Sequence, residues 1–326
     1  MRRPTGALAM NRRTYDWLVT PERLARLGDL LDLRPGVLTA PDADTLRGVE
    51  ILVTGWRCPP LPADLPDLRG VFHTAGTVRQ IVPDTYFDRG VRVVTAADAG
   101  AVPVAEFTLA AILFANKRVL RAAREYRVRQ SLDARDAVPD AGNLGKRVGL
   151  VGASRVGRRV VRLLAPFDLT VRVADPYLSD ADAAELGVAR VDLDELLATS
   201  DVVSLHAPST PATRHLLDAR RLALLPDGAT LVNTARGALV DHDALLAELR
   251  TGRLDAVLDV TDPEPLPPDS PYWTLANVLL TPHHAGAFNP VESGRQLDLV
   301  LDELDRYLHG APLRHEVLPA ARTYTA

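Results

Sequence analysis

Three segments of the chain each carry a side chain that can handle a proton or an oxyanion, and each follows a strand-like apolar run. The segments read LVNTARGALVD (231–241), LDVTDPEPLPP (258–268) and LLTPHHAG (279–286). Arg236 offers a planar fork of donors that suits a carboxylate or a keto oxygen. His283 can give a proton to such an oxygen as hydride arrives, and Glu264 can hold the imidazole and favour its protonated form. The three residues therefore predict a catalytic trio.

Each member of this trio also has a structural interpretation. An arginine after a strand is commonly a solvated charge, Glu264 lies in a proline-rich loop, and His283 could be satisfied within a core. Ligands bind at the carboxyl ends of strands in open α/β sheets. The occurrence of all three residues at three successive strand ends therefore favours catalysis.

A glycine-rich turn lies upstream of the trio. Residues 147–157 read RVGLVGASRVG, in which a strand leads into a turn and then into a helical pattern. The fingerprint G-x-G-x-x-G at such a place binds a dinucleotide pyrophosphate. Gly152 and Gly157 match it, whereas Ser154 replaces the middle glycine with a small side chain whose hydroxyl can still bond a phosphate. We expect the turn to bind the cofactor through Gly152, Ser154, Arg155, Val156 and Gly157.

Asp175 follows Gly157 by eighteen residues, at the end of the next strand-like run. An acid at that distance can accept hydrogen bonds from the ribose hydroxyls of NAD, and its charge would repel the extra phosphate of NADP. The alternative is that Asp175-Pro176 forms only a turn. The sequence predicts a site for NAD in preference to NADP.

The composition limits the remaining possibilities. The chain has 326 residues, 47% hydrophobic and 25% charged, with a net charge of -4 and one cysteine, Cys58. This length predicts two domains, and the dispersed basic residues argue against nucleic acid or a membrane as partner. No internal disulfide is possible, and we expect no metal. The amino terminus, MRRPTGALAM, has no long apolar core after its arginines, and we expect no apolar run that is long enough to span a bilayer. The expected location is the cytoplasm.

Strand-like runs alternate with helical patterns, which is typical of an α/β fold with parallel sheets. In the first hundred residues the predicted strands are 6–10, 49–54, 68–74 and 91–96. Six more are predicted at 147–151, 170–174, 202–205, 230–233, 256–259 and 278–281, with helices at 156–164 and 241–251. A single long helix is predicted at 102–128, buried in its first half and arginine-rich and exposed or at an interface in its second. A last helix, 290–308, is expected to return to the first domain.

The chain resembles the D-isomer-specific 2-hydroxyacid dehydrogenases, which include D-3-phosphoglycerate, D-lactate and glyoxylate/hydroxypyruvate enzymes. The resemblance runs from about residue 49 to about 308. It rests on AGT (75–77), VAEFTLA (104–110), NLGKRVGLVG (143–152), SDVVSLHAP (200–208), NTARGALVD, DPEP (262–265) and LLTPH. It implies two Rossmann-like domains. A doubly wound NAD domain, 103–287, would be inserted into a flavodoxin-like substrate domain, 1–102 and 288–326.

The resemblance also implies roles for individual residues. Arg236, Glu264 and His283 match the family's catalytic positions, and Asp259 would lie behind them. His284 stands where the family often has an aliphatic residue, but the T-P-H register favours His283. The remaining cofactor contacts implied are His206, Ala207, Pro208, Thr234, Ala235 and Asp259.

For the substrate, the resemblance implies that backbone N–H groups around Ala75 and Gly76 hold a carboxylate. The stretch TAGTVRQ departs from the family's usual form, in which an Asp or Asn follows. Trp56 and Arg57, in the loop TGWRCPP, are candidates for reading the substrate side chain, although Trp56 could equally have a packing role.

The predicted reaction interconverts a 2-keto acid and a D-2-hydroxy acid with NAD, and His283 protonates the carbonyl oxygen. A cofactor-sensing regulator of the same fold is the alternative from another class. A formate or phosphite enzyme is a further alternative, against which Glu264 counts. The helix near residue 102 resembles the family's dimerisation segment, so we expect a homodimer. Hinges are expected near Pro103 and Ala287.

Overall fold

The computed structural model describes residues 2–287 and 289–319. Its contacts divide the chain into two units: Met1–Ala101 with Ala287–Ala326, and Val102–Gly286. Met1, Phe288 and residues 320–326, which the expected bounds of the first domain include, lie outside the described residues.

The first unit is built on a five-stranded sheet in which every pairing is parallel. Its sheet order, β2-β1-β3-β4-β5, is the doubly wound flavodoxin-like order. Strands β3 and β4 are buried throughout, as expected for a sheet covered on both faces. The elements are β1 (Thr5–Ala9), α1 (Arg12–Leu18), α2 (Pro21–Leu30), β2 (Asp32–Leu33), β3 (Ile51–Thr54), β4 (Gly70–His73), α3 (Asp84–Asp88) and β5 (Arg92–Thr95).

Helix α4 (Ala97–Asn116) begins in the first unit, and the rest of α4 and the whole of α5 (Val119–Arg129) belong to the second unit. Its elements are β6 (Arg147–Val151), α6 (Arg155–Leu164), β7 (Thr170–Ala174), α7 (Asp180–Leu186), β8 (Ala189–Arg190), α8 (Leu193–Thr199), β9 (Val202–Leu205), α9 (Ala219–Leu222), β10 (Thr230–Asn233), α10 (His242–Arg250), β11 (Asp255–Leu258) and β12 (Val278–Leu280).

These strands form one parallel sheet in the order β12-β11-β10-β9-β6-β7-β8. With β6 numbered as strand 1, this is the dinucleotide-binding order 3-2-1-4-5-6, in which β8 is strand 3 and β12 is an additional seventh strand at the edge. The expected fold class, two Rossmann-like parallel sheets, is confirmed. The expected number of six strands in this sheet is wrong by one, because the two-residue strand β8 is too short to leave a hydrophobic pattern.

The last helix, α11 (Pro290–Leu308), packs against α1 and α2 of the first unit. Its buried face supplies Leu297, Val300, Leu301 and Leu304 to a core that includes Phe72 of β4. The carboxyl-terminal part of the chain thus completes the unit that the amino-terminal part begins.

The single long helix expected at 102–128 is in fact two helices, and this prediction is wrong. Arg118 adopts a left-handed backbone conformation, with a φ of 52°, between the end of α4 and the start of α5. No residue of α5 is buried, as expected for its arginine-rich sequence. The expected burial of α4 holds for one face only, since Glu106 and Phe114 are exposed.

Helix α4 is long and apolar enough to cross a membrane, as judged by length and composition alone. The expectation that no run in the sequence reaches that length is therefore wrong. Within the second unit, Ala105, Ala111 and Ile112 of this helix pack into the core with Val148 and Leu150 of β6. Its apolar face thus has a packing role in the unit.

Candidate active site

The three predicted catalytic residues follow three neighbouring strands. Strands β10, β11 and β12 are adjacent in the sheet and parallel, so their carboxyl ends lie side by side. Arg236 follows β10, Glu264 lies in the loop after β11, and His283 follows β12. The Nδ1 atom of His283 lies 2.7 Å from Oε1 of Glu264. The structure therefore brings Glu264 and His283 together from loops that are nineteen residues apart.

This pair sets the chemistry available to the imidazole. An ionised carboxylate only accepts hydrogen bonds, so Nδ1 carries the hydrogen and Nε2 is the atom at which a proton can be exchanged. The side chains of His283 and Glu264 are 33% and 44% exposed, so a small substrate can reach them. The arrangement can deliver a proton to, or take one from, an oxygen placed beside Nε2.

Asp259 fixes the loop that carries His283. Its side chain is 2% exposed, and its Oδ1 accepts hydrogen bonds from Thr281 Oγ1 and the His284 N–H, both at 2.6 Å. Its Oδ2 accepts from the Ala285 N–H at 2.9 Å, and its carbonyl oxygen accepts from the His283 N–H at 2.9 Å. The loop is held tightly enough to keep His283 in a left-handed conformation, with a φ of 52°.

The turn that carries Arg236 is held by a buried side chain. The Asn233 side chain donates to the Arg236 carbonyl at 2.9 Å and accepts from the Ala235 N–H at 3.0 Å. The guanidinium donates to the Ala235 carbonyl at 2.6 Å. Burial lowers the pKa of Arg236, and the negative charge of Glu264 opposes that change. The arginine is thus a partly buried cation on the same sheet edge as the acid–base pair.

Gly237 allows the loop with Glu264 to pass close to this turn. A Cβ at Gly237 would lie 2.1 Å from the Thr261 carbonyl carbon and 2.6 Å from the Asp262 nitrogen, so no larger residue fits. Asp262 in turn lies 3.2 Å from the Arg214 guanidinium. Asn233 and Gly237 are not among the predicted site residues, although the letters N and G around Ala235 and Arg236 in NTARG are the available signal.

The glycine-rich turn follows β6. In the sheet β6 lies next to β9, and the direction of strand order reverses between these two strands. Gly152 has a φ of 103°, and a Cβ there would lie 2.7 Å from the Ala207 nitrogen. A Cβ at Gly157 would lie 2.2 Å from the Gly152 carbonyl oxygen. Both glycines are therefore required by close backbone packing at the place where doubly wound sheets bind ligands.

Ser154 takes the middle position without strain. Its φ is −65°, and its Oγ accepts from the Gly157 N–H at 3.3 Å, which caps the first turn of α6. Backbone N–H groups and the helix dipole make such a terminus suitable for a phosphate. The serine hydroxyl also keeps its hydrogen for an acceptor, because in the described residues it only accepts. Ser154 therefore fits a bound pyrophosphate.

Asp175 joins the end of β7 to the glycine-rich turn. Its Oδ2 accepts from the Ala153 N–H at 2.6 Å, and its Oδ1 accepts from the Tyr177 N–H at 2.8 Å. The alternative interpretation, that Asp175 has a structural role in a turn, is therefore correct in part. Each carboxylate oxygen has a further lone pair, so Asp175 can still accept from ribose hydroxyls.

His206 and Thr234, two expected cofactor contacts, are mostly engaged by the protein itself. The His206 ring is buried, with Nε2 at 3.0 Å from Ser204 Oγ, and burial lowers its pKa to about 3. This segment can therefore contact a cofactor through the backbone of His206 and through the adjacent Ala207 and Pro208. Thr234 Oγ1 lies 3.0 Å from Thr108 Oγ1 of α4, a residue that the sequence analysis did not single out.

In the first unit, the last residues of β3 and β4 are joined by a buried hydrogen bond. Nδ1 of His73 lies 2.8 Å from Thr54 Oγ1, and both residues are almost fully buried. Burial lowers the pKa of His73 to about 4, which keeps the ring neutral. Ala75 follows and is buried, whereas Gly76 is exposed. His73 is not among the predicted site residues, because a histidine within a strand-like run gives no pattern of its own.

Trp56 and Arg57 are both exposed at the carboxyl end of β3. The Trp56 carbonyl accepts from Asn11 Nδ2 at 3.1 Å and from Thr14 Oγ1 at 3.2 Å. Arg57 has a φ of 59°. Within residues 2–287 and 289–319, no group of three or more His, Cys, Asp or Glu side chains could hold a metal ion.

Comparison with known proteins identifies the class that this fold and site define. A sequence model of the D-isomer specific 2-hydroxyacid dehydrogenase, NAD binding domain, matches residues 109–285. The chain therefore belongs to the D-isomer-specific 2-hydroxyacid dehydrogenase family, and NAD is its cofactor.

Relatives and solved structures agree with this membership. The chain is 35% identical over 273 residues to the D-3-phosphoglycerate dehydrogenase of Mycobacterium tuberculosis H37Rv, which covers 81% of this chain and 51% of that protein. The chain thus spans about half the length of the phosphoglycerate dehydrogenases it matches. It is 35% identical over 225 residues to the glyoxylate reductase of Korarchaeum cryptofilum, covering 68% of each chain. The apo structure of Rhodotorula graminis D-mandelate dehydrogenase superposes with a TM-score of 0.80 at 25% identity and 97% coverage of both chains.

Proposed function

We propose that the chain is an NAD-dependent oxidoreductase that interconverts a 2-keto acid and a D-2-hydroxy acid, with His283 as the acid/base. The observation that carries this proposal is the contact of 2.7 Å between His283 Nδ1 and Glu264 Oε1. A sheet edge that bound only a cofactor would not require an imidazole paired with a carboxylate. The names of the relatives, phosphoglycerate dehydrogenase and glyoxylate reductase, support the same reaction class.

The bound NAD supplies or accepts the hydride. Gly152, Ser154 and Gly157 bind its pyrophosphate at the start of α6, and Asp175 accepts hydrogen bonds from its ribose. In the direction of reduction, His283 gives the proton on Nε2 to the carbonyl oxygen of the substrate. Glu264 stabilises the imidazolium before that transfer and holds the ring in one orientation.

Arg236 supplies positive charge beside the acid–base pair. Its partly buried guanidinium can bind the carboxylate or the keto oxygen, where a charge-assisted hydrogen bond is stronger than in water. In the first unit, the N–H groups of Ala75 and Gly76 are the proposed contacts for a substrate carboxylate. We assign cofactor binding to residues 103–287 and substrate binding to residues 1–102 and 288–326.

The decisive experiment is a panel of keto acids with NADH and NADPH side by side. Glyoxylate, hydroxypyruvate, pyruvate, phenylpyruvate and 3-phosphohydroxypyruvate test the range of side chains. We expect oxidation of NADH with at least one acid, and weaker use of NADPH because Asp175 repels its extra phosphate. NADH binding, measured by fluorescence titration, without turnover of any acid would favour the cofactor-sensing alternative.

We further propose a cytoplasmic homodimer that acts without nucleic acid or a membrane as partner. Support for an assembly comes from large apolar side chains exposed on and next to α4 and α5, where Phe114 is 58%, Tyr126 56% and Leu132 63% exposed. Light scattering after gel filtration is expected to give twice the mass of the chain. A monomeric mass at micromolar concentration would contradict the dimer.

A further inference from the structure

A buried histidine of the second unit has two ring nitrogens without a hydrogen-bond partner. His242 is the first residue of α10, and both Nδ1 and Nε2 of its ring are shielded from solvent. Neither atom is hydrogen-bonded within the described part of the chain. Most buried polar side-chain atoms are bonded, so an exception calls for an explanation. The mechanism proposed for the acid–base pair makes no use of this ring.

Three segments enclose the ring of His242. The Tyr272 ring meets it edge to face, with the centroids 5.6 Å apart, and the Tyr272 hydroxyl donates to the His242 carbonyl at 2.7 Å. Burial raises the pKa of Tyr272, so this phenol stays uncharged. The Gly237 backbone and the Asp262 carboxylate lie near enough to favour a proton on the imidazole. The ring therefore has acceptors close by and a hydrogen bond to neither of them.

These acceptors belong to the two segments that carry proposed catalytic residues. Gly237 follows Arg236 directly, and Asp262 precedes Glu264 by two residues. The segments touch, since a Cβ at Gly237 would lie 2.6 Å from the Asp262 nitrogen. A change in the charge or hydrogen bonding of His242 therefore acts on both segments at once.

We propose that His242 is a positioning residue for the acid–base pair. Its uncharged ring keeps the turn with Arg236 and the loop with Glu264 in place. Protonation of the ring displaces that loop and lowers the rate of proton transfer by His283. The inference rests on the proposed function and adds a pH-sensitive control to the same site.

The groups that face His242 keep its ring neutral at pH 7. Burial is the largest effect and lowers the pKa of His242 from its ordinary value of 6.5, and His215 acts in the same direction. The Gly237 backbone, Asp262 and Asp241, the N-cap residue of α10, act in the opposite direction. The ring therefore takes up a proton only in acid, below pH 6.5.

Protonation changes the balance of charge around Asp262. The Asp262 carboxylate lies 3.2 Å from the Arg214 guanidinium. A protonated His242 has two N–H donors and a positive charge, and a buried charge requires a partner. Asp262 is then drawn towards the ring and away from Arg214. Because Glu264 is two residues further on, its contact of 2.7 Å with Nδ1 of His283 is lost.

The test measures kcat for the reduction of a keto acid at pH 5 and at pH 7. His283 must carry a proton at the start of reduction, so acid by itself does not remove its contribution. His242→Phe keeps an aromatic ring beside Tyr272 but cannot be protonated, and His242→Gln is a second uncharged replacement. We expect the ratio of kcat at pH 5 to kcat at pH 7 to be roughly 3- to 30-fold lower in the unmodified protein than in these variants, because a displaced catalytic group reacts slowly.

Two further variants and a control sharpen this comparison. Asp262→Asn removes a charge that favours the proton on His242, so the fall in kcat is expected to move to lower pH. His215→Gln removes a group that opposes that proton, so the fall is expected to move to higher pH. His309→Gln is the matched control for His242→Gln, because the side chain of His309 is 74% exposed and belongs to the first unit. It is expected to keep the ratio of the unmodified protein.

Hydrogen exchange in residues 259–266, measured by mass spectrometry, gives a reading that does not depend on turnover. After correction for the intrinsic effect of pH, we expect faster exchange at pH 5 than at pH 7 in the unmodified protein and no difference in His242→Phe. A kcat ratio as low in both His242 variants as in the unmodified protein would overturn the inference, as would equal exchange at the two pH values. If no keto acid is turned over, the proposed function fails, whereas the exchange measurement still decides whether His242 controls the loop.

Discussion

The carboxyl edges of the two parallel sheets are held in place by different kinds of contact. In the second unit, the side chains that can do chemistry hold one another, as Glu264 holds His283 at 2.7 Å. In the first unit, the loop after β3 is held through the Trp56 carbonyl, and the ends of β3 and β4 are joined by the buried pair of His73 and Thr54. Both edges present an exposed or half-exposed side chain on a residue of positive φ. One edge is therefore fixed by contacts between the polar side chains of its own loops, whereas the other is fixed by backbone and buried groups.

The largest effect is expected at the edge of the second unit. His283→Ala removes the proposed acid/base, and we expect kcat to fall about 10²–10⁴-fold, with the Tm and NADH affinity close to those of the unmodified protein. His284→Ala is the matched control, because only the backbone N–H of His284 contributes to the hydrogen bonding of Asp259. A kcat close to normal in His283→Ala would refute the assignment of the acid/base.

A second change tests whether the contact between loops matters at that edge. Gly237→Ala places a Cβ against Thr261 at 2.1 Å, so the loop with Glu264 must move. We expect kcat to fall on the order of 10²-fold, since a displacement of about 1 Å in a catalytic group can cost that much. Gly286→Ala is the control from the same unit, because a Cβ there meets nothing within 4 Å. Equal kcat values in the two variants would show that the position of this loop is unimportant.

The buried histidines allow the two units to be compared through pH. Burial lowers the pKa of His73 to about 4 in the first unit and that of His206 to about 3 in the second. Between pH 6.5 and these values the unfolded chain binds a proton that the folded chain does not. The free energy of unfolding therefore falls as the pH falls from about 6.5 to about 4, by roughly 3 kcal/mol for His73.

Urea unfolding at pH 7 and pH 4.5 measures this loss of stability. In His73→Asn the difference between the two pH values is expected to shrink, and in His206→Asn it is expected to shrink by a similar amount. Because both histidines are almost fully buried, one in each unit, each unit should contribute to the pH dependence of stability. An unchanged pH dependence in both variants would mean that neither histidine is kept neutral by burial.

The smallest effect concerns the start of α6. Ser154→Ala removes the oxygen that accepts from the Gly157 N–H, and we expect a loss of about 1 kcal/mol in stability. Ser154→Gly should cost only a few tenths of that amount, because glycine is tolerated at this capping position. Thermal unfolding and NADH titration of both variants measure the effect. A larger loss in Ser154→Gly than in Ser154→Ala would contradict the capping role.

Much of the fold could be predicted from local pattern. Strands β6, β7, β9 and β10 and helix α11 have the predicted bounds, because apolar runs and flanking turn residues mark them. The break at Arg118 could not be predicted, since neither glycine nor proline marks it. The two-residue strands β2 and β8 exist only through pairing with neighbours that are distant in sequence.

The candidate site also combines features that the sequence determines with features that only the tertiary structure determines. The sequence by itself determined which chemical groups are available and in what order they follow the strands: an arginine, an acid and a histidine after β10, β11 and β12. Only the tertiary structure decided that Glu264 and His283 meet, that Gly237 must leave room for Thr261, and that Arg57 is held in a left-handed turn. The physical reason is that these features depend on strand order and on packing between loops far apart in sequence, whereas residue type and periodicity are local.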